Sequence, residues 1–126
     1  VPDVGYTLLI TESGVTSSNI TGGIKRRNSE IAAIAKDYLG LMLSYKQLDH
    51  LLGGGLVDRY SWLQGGSPRG DGLPLRPLPF DNEGRAKPLR EAIAAALRGA
   101  PTRNGLSSIS GLSRDGREPL DRNDSC

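Results

Sequence analysis

The order of hydrophobic and polar positions predicts a strand near the start of the chain. Leu8-Leu9-Ile10 is a short, continuous apolar run with Gly5 just upstream. Such runs are typical of buried strands in parallel sheets. Polarity rises sharply at Thr11-Glu12-Ser13-Gly14, and residues 16–23 are small and polar apart from Ile20. We therefore expect the strand to end near residue 11 and a loop to follow it.

A helix is predicted after this loop. Apolar residues recur there at steps of three and four, which places them on one stripe of a helix. The stripe contains Ile31, Ile34, Ala35, Tyr38, Leu41, Met42 and Tyr45. Asn28 or Ser29 is the expected N-cap, because short polar side chains accept hydrogen bonds from the first free backbone N–H groups. The basic residues 25–27 are then expected to form a solvated helix start.

The second half of the chain repeats the order of strand and helix. The apolar stretch 48–56 predicts a second strand, although Asp49 and His50 interrupt it. Residues 57–85 contain five Gly and four Pro, so we expect a long loop there. Pro88 suits the first turn of a final helix. The apolar face of that helix would contain Leu89, Ala92, Ile93, Ala96 and Leu97, with Gly99 and Pro101 at its end.

Two strand–helix units in succession predict an α/β fold with a parallel strand pair and a right-handed crossover. We assign residues 1–101 to this βαβα segment. Residues 102–126 are rich in Ser, Arg, Asp, Asn and Gly, and we expect a disordered tail. Two parallel strands with one crossover cannot bury both faces of their sheet, and they leave both outer strand edges open. We therefore expect the chain to complete its sheet by self-association, as a homo-oligomer.

Composition excludes several kinds of partner. Sixteen Lys and Arg against fourteen Asp and Glu give a net charge of only +2, with no basic stripe interleaved with aromatics, so nucleic-acid binding is not expected. The apolar runs are far shorter than the ~20 residues of a membrane span. His50 is the only histidine and Cys126 the only cysteine, so we expect neither a metal site nor a catalytic triad. Gly53-Gly54-Gly55 lacks the Lys-Ser/Thr ending of a phosphate loop, and no cofactor is expected.

Two stretches of the sequence together resemble family 10 glycoside hydrolases, which are xylan-cutting (β/α)₈ barrels. Residues 8–15, Leu-Leu-Ile-Thr-Glu-Ser-Gly-Val, are similar to the seventh barrel strand of that family. Residues 55–62, Gly-Leu-Val-Asp-Arg-Tyr-Ser-Trp, are similar to the eighth strand and its loop. Pro77-Leu78-Pro79-Phe80-Asp81 and Lys87-Pro88 then follow at the distances typical of the family. The resemblance extends over roughly residues 5–100.

The resemblance implies a function and a set of site residues. Glu12 matches the catalytic nucleophile of the family, and Trp62 matches a tryptophan that packs on the sugar near the bond that is cut. Tyr60 and Arg59 belong to the same motif and are expected to bind substrate. The implied substrate is a β-1,4-linked xylan or related polysaccharide or oligosaccharide. Family members are secreted or periplasmic, but residues 1–20 do not resemble a signal peptide, so we assign no localisation.

The chain also departs from the family. Gly54 stands where the family carries Trp, and Gly14 stands where it carries Asp. Retaining glycosidases use two carboxylates, and the acid/base of the family lies on the fourth strand, which has no match among these 126 residues. A complete barrel usually needs about 250 residues. Three hypotheses stay open: a xylanase-like fragment in which Glu12 acts as nucleophile, a non-catalytic barrel remnant that oligomerises or binds carbohydrate, and a recruited activity in a new fold.

Overall fold

A computed structural model describes residues 4–103 of the chain. The elements follow in the order β1 (Leu8–Ser13), α1 (Ile24–Ser44), β2 (Leu48–Gly53), a 3₁₀ turn (Asp58–Tyr60), α2 (Leu63–Gly66) and α3 (Pro88–Gly99). The two predicted strand–helix units are therefore confirmed. The segment 57–85 is not purely a loop, because the 3₁₀ turn and α2 occupy part of it.

The two strands form a parallel pair, as the sequence predicts. Leu8 is opposite Leu48, Ile10 is opposite Leu51, and Ser13 is opposite Gly53, with irregular register on either side of Ile10. The ladder continues beyond β2, because the Gly54 N–H donates to the Ser13 carbonyl at 3.0 Å. Within residues 4–103 the sheet has these two strands only, which leaves its two outer edges open.

Helix α1 differs from its prediction in start and in orientation. It begins at Ile24, with extended Gly23 as N-cap, and neither Asn28 nor Ser29 caps it. Its buried residues are four apart from position 27 to 43: Arg27, Ile31, Ala35, Leu39 and Leu43. Most of the predicted stripe is instead exposed, with Ile34 at 48% and Leu41 at 59%. The apolar positions of α1 form a broad stripe around the helix, and the sheet and α3 cover only one side of that stripe.

Two apolar clusters hold the helices on the sheet. The cluster near the start of the strands contains Ile10, Leu39, Leu43 and Leu48. The other contains Ile20, Ile31, Ala35 and Leu89. Ile93 of α3 packs against both clusters, so α3 joins them into one layer. Burying each large aliphatic side chain contributes about 1.5–3 kcal/mol relative to exposure.

A buried ion pair ties the start of α3 to the turn after β2. The Lys87 ammonium lies 2.9 Å from Asp58 Oδ2, and the two side chains are only 4% and 3% exposed. Asp58 Oδ1 also accepts the Leu78 N–H at 3.0 Å, and Lys87 donates to the Arg76 carbonyl at 2.9 Å. Asp58 Oδ2 has the charge contact but no hydrogen bond. Burial lowers the pKa of Lys87, and the hydrogen bond to Asp58 opposes that shift.

Arg69 ties the loop after β1 to the loop before α3. Its guanidinium donates to the Ser17 carbonyl and, at 3.0 Å, to the Ile20 carbonyl. Its Nε donates to Asp71 Oδ1 at 2.8 Å. The hydrogen bonding from Arg69, together with the Leu73 N–H, lowers the pKa of Asp71 to about 2. Arg27, expected to be solvated, is also buried and donates to the Pro74 carbonyl at 2.6 Å. Basic side chains thus fasten the loop before α1 and the loop before α3.

The last described residue, Arg103, donates to the carbonyls of Leu43 and Leu48 at 3.0 and 3.1 Å. The predicted tail lies almost entirely outside the described residues, and the division at residue 101 stays a prediction. Within the described range, none of the helices combines the length and the apolar character that crossing a bilayer requires.

Candidate functional site

Glu12 lies at the carboxyl end of β1, next to the carboxyl end of β2. Its side chain is exposed and extends over Gly54. A Cβ atom built at Gly54 would lie 3.1 Å from Glu12 Oε1 and 3.4 Å from its Cγ, which is closer than ordinary van der Waals contact. A side chain at position 54 would therefore meet the Glu12 carboxylate.

Trp62 contacts Glu12 directly. It is the N-cap of α2, and its indole Nε1–H donates a hydrogen bond to Glu12 Oε1. The side chain is 59% exposed. An indole N–H has one donor and no acceptor, so this bond uses its whole hydrogen-bonding capacity. Two residues fifty positions apart in sequence thus form one polar contact at the end of the sheet.

Gly66 supports the other end of the indole. A Cβ atom built there would lie 2.7 Å from both Cε3 and Cζ3 of Trp62. The Gly66 N–H donates to the Trp62 carbonyl at 2.9 Å, which closes one helical turn. Residues four apart on a helix lie on the same face, so the glycine is directly beside the ring. The Gly65-Gly66 dipeptide, three and four residues after Trp62, is the sequence signal that could have shown this.

The turn that carries Trp62 is fixed from several sides. The Gln64 side-chain amide donates to the Asp58 carbonyl at 3.0 Å and to the Leu75 carbonyl at 2.8 Å. It also accepts the Leu75 N–H at 3.0 Å. The Ser61 N–H donates to the Asp58 carbonyl at 3.1 Å. The buried Asp58–Lys87 pair anchors the start of the same turn, so the position of Trp62 depends on that pair.

Two cavities meet at Glu12. The smaller has a volume of about 210 Å³, and eight residues line it: Glu12, Ser13, Gly14, Gly54, Ser61, Trp62, Leu63 and Leu78. The larger, of about 620 Å³, lies between the strand ends and the helices α1 and α3 and is mainly apolar. In the described part of the chain, Glu12 is the sole carboxylate lining either cavity.

Arg59 and Tyr60, the other predicted site residues, do not line these two cavities. The Arg59 guanidinium lies 5.3 Å from the centre of the Tyr60 ring and donates to the Asn82 carbonyl at 2.5 Å. Tyr60 is 75% exposed. The structure therefore brings Glu12 and Trp62 together and leaves Arg59 and Tyr60 on the adjoining surface.

The single histidine and the aspartates of residues 4–103 lie outside the two cavities at Glu12. His50 and Asp49 are both exposed, with 3.0 Å between Nδ1 and Oδ2. Among residues 4–103, no three His, Cys, Asp or Glu side chains are grouped closely enough to hold a metal ion. Asp71 and Asp81 pair with Arg69 and Arg85 at 2.5 and 2.8 Å, so these carboxylates stabilise loops.

The family model and the similar solved structures agree on one family. The family model for glycosyl hydrolase family 10 matches residues 1–96. Xylanase 10B from Thermotoga maritima has a TM-score of 0.65 and 24% identity, over 76% of this chain and 28% of that chain. Xylanase 10B from Thermotoga petrophila in complex with xylobiose has a TM-score of 0.65 and 25% identity, over 76% of this chain and 28% of that chain. A thermostable mutant of a Cellvibrio japonicus xylanase has a TM-score of 0.58 and 22% identity, over 72% of this chain and 30% of that chain. No curated protein sequence matches the chain.

These similarities show that the chain has the fold of an α/β part of the barrel in these structures. The chain spans less than a third of the length of these solved structures, with 28–30% of each covered. The family match, in contrast, extends over most of the chain, from residue 1 to residue 96 of 126. The chain belongs to glycosyl hydrolase family 10.

Proposed function

We propose that the chain carries the nucleophile half of a retaining glycosidase site that acts on β-1,4-xylosidic bonds. Glu12 is the nucleophile: one carboxylate oxygen forms a bond to the anomeric carbon while the bond from that carbon to the leaving oxygen breaks. Water later cleaves the glycosyl ester and restores the carboxylate. Trp62 is the platform for the sugar ring, and Arg59 and Tyr60 contact sugar units further from the reacting bond.

The observation that carries this proposal is the position of Glu12. Parallel α/β barrels place their chemistry at the carboxyl ends of the strands, and Glu12 lies at that end of β1. It is exposed, lines both cavities and accepts a hydrogen bond from the Trp62 indole. An aromatic ring next to a carboxylate suits the apolar face of a pyranose whose anomeric carbon faces the oxygen. Relatives that are named xylanases suggest xylan as the polysaccharide.

A retaining site also needs a second carboxylate about 5–5.5 Å from the first, as acid and then base. Neither of the two described cavities offers one. This observation favours the second candidate function, in which the chain binds xylo-oligosaccharides without cutting them. The two candidates differ in whether Glu12 reacts.

We further propose that the chain associates with a second copy of itself, which covers the open sheet and contributes the missing carboxylate. Leu9 and Leu52 point away from the helices and are 55% and 49% exposed. Ile34, Tyr38 and Leu41 expose a second apolar strip along α1. Open strand edges and exposed apolar faces both favour pairing with another chain.

Hydrolysis of two aryl β-xylobiosides tests the catalytic proposal. A 2,4-dinitrophenolate leaves without protonation, whereas an unsubstituted phenolate needs an acid. If Glu12 is the nucleophile, the dinitrophenyl compound is cleaved and Glu12→Gln abolishes cleavage. Rapid cleavage of the phenyl compound would show that a second carboxylate is present in the assembly. Binding of xylobiose with no cleavage of either compound would support the binding function and refute catalysis.

The molar mass in solution tests the association. Light scattering across a hundredfold range of protein concentration is expected to give a multiple of 13.4 kDa. The Leu9→Lys, Leu52→Lys variant should shift towards the monomer, because it places two charges on the apolar face. The matched variant Leu73→Lys, also at an exposed leucine, should keep the assembly. A monomer at every concentration would contradict self-association.

A further inference from the structure

We propose that Gly66 holds the Trp62 indole against Glu12, so that the Trp62–Glu12 hydrogen bond forms a latch that an incoming sugar must open. This inference rests on the proposed function for its second half only. The latch itself is defined by three described residues and can be tested without any sugar. Gly66 is a positioning residue in this scheme, because it acts on Glu12 through Trp62.

The geometry restricts the indole on two sides. One end of the ring system is fixed by the hydrogen bond to Glu12 Oε1. The other end lies so close to Gly66 that a Cβ would be 2.7 Å from two ring carbons. Contacts under about 3 Å between carbon atoms are repulsive, since the optimal separation is about 3.5–4.0 Å. A residue with any side chain at position 66 would therefore displace the ring.

Gly54 leaves room for the Glu12 carboxylate, because it has no side chain. Its Oε1, the atom that accepts the indole N–H, is also the atom 3.1 Å from a Cβ built at Gly54. A side chain at position 54 would therefore meet the same carboxylate oxygen that binds the Trp62 indole. In this position one carboxylate oxygen is occupied, and the indole edge instead of its face is turned towards it.

A sugar ring stacked on the indole face, with its anomeric carbon at the carboxylate, requires the indole to leave this position. The latch therefore reduces the fraction of molecules that can bind a sugar, and apparent affinity falls by that fraction. Loosening the latch should raise affinity. Replacement of a residue that only maintains the fold would instead lower the affinity, so the two roles predict opposite results.

The chain offers a matched pair of variants in α2. Gly66→Ala introduces the close contact with Trp62, whereas a Cβ at Gly65 meets nothing within 4 Å. Both glycines lie in the same helix, and neither has a positive φ, so backbone effects are alike. Trp62 is the only tryptophan, which makes intrinsic fluorescence specific for it. Release of the ring from 59% to full exposure would raise acrylamide quenching by a factor of about 1.7.

We expect the quenching constant to rise by this factor in Gly66→Ala and to stay unchanged in Gly65→Ala. Glu12→Leu, which removes the acceptor, should give the same rise, and Glu12→Gln, which keeps an oxygen acceptor, should not. The Gly66→Ala, Glu12→Leu double variant should equal either single variant, because the latch can open only once. Quenching that is equal in Gly66→Ala and Gly65→Ala, or unaffected by Glu12→Leu, would overturn the latch.

Titration calorimetry with xylobiose tests whether an incoming sugar must open the latch. Gly66→Ala should bind about five- to tenfold more tightly than Gly65→Ala, which corresponds to the net strength of one hydrogen bond. Equal or weaker binding by Gly66→Ala would overturn the gating role. If no variant binds xylobiose while the quenching results hold, the proposed function fails and the contact between Trp62 and Glu12 stands as a structural one.

Discussion

Replacement of Lys87, the buried N-cap residue of α3, by methionine should strongly destabilise the fold. The variant keeps the length of the side chain but removes the charge that faces Asp58, and both side chains are at least 96% buried. Asp58 would keep the Leu78 N–H as a hydrogen-bond donor but would lose its counter-charge. Removing one partner of a buried pair costs about 3–5 kcal/mol, because the other charge stays buried and unpaired. A domain of this size has about 5–15 kcal/mol in total.

The free energy of unfolding should be measured in urea, since guanidinium would screen the ion pair. The Lys87→Met, Asp58→Asn double variant is expected to recover part of the loss, because it removes the uncompensated charge. Lys36→Met, at an exposed lysine of α1, is the matched control and should change stability by less than about 0.5 kcal/mol. A cost below about 1 kcal/mol for Lys87→Met, or no recovery in the double variant, would refute the reasoning.

Two further predictions concern the core and the loops. Ile31→Ala should lower the free energy of unfolding by about 2–5 kcal/mol, whereas Ile34→Ala on the same helix should change it little, because Ile31 is 1% and Ile34 48% exposed. Urea denaturation checks both, and equal costs would contradict the orientation of α1. Arg69 holds the pKa of Asp71 near 2, below its usual 3.8, so the stabilisation is present above pH 4 and is lost as pH falls from 4 to 2. The difference between wild type and Asp71→Asn in the urea midpoint should therefore shrink over that range, and a constant difference would contradict the pairing.

The parts of the fold that follow from local periodicity could be predicted from the sequence. A continuous apolar run gives β1, and Pro88 with the residues after it gives α3, because both signals lie within one element. The orientation of α1 could not be predicted in this way. Its apolar positions cover more than half of its circumference, and only packing against α3 and the sheet selects the buried line through Ile31 and Leu39.

The site shows the same division. The motifs predict that Glu12 and Trp62 lie in the same site. They do not predict the direct hydrogen bond, because it depends on how closely the turn after β2 approaches β1. The functions of Gly66 and Arg69 were missed as well. A glycine beside a ring and an arginine that binds carbonyls of a distant loop leave no periodic pattern in the sequence. Lys87 was noted only as part of a motif, yet it forms a buried ion pair with Asp58.

The central claim, that Glu12 is a glycosidase nucleophile, is tested most directly by covalent trapping. A 2,4-dinitrophenyl 2-deoxy-2-fluoro-β-xylobioside has a leaving group that needs no acid, and its fluorine slows hydrolysis of the glycosyl ester. Mass spectrometry of the incubated protein is expected to show one fluoroxylobiosyl addition, located by peptide mapping at Glu12 and absent in Glu12→Gln. A protein of unchanged mass, or an addition located at another residue, would contradict the account.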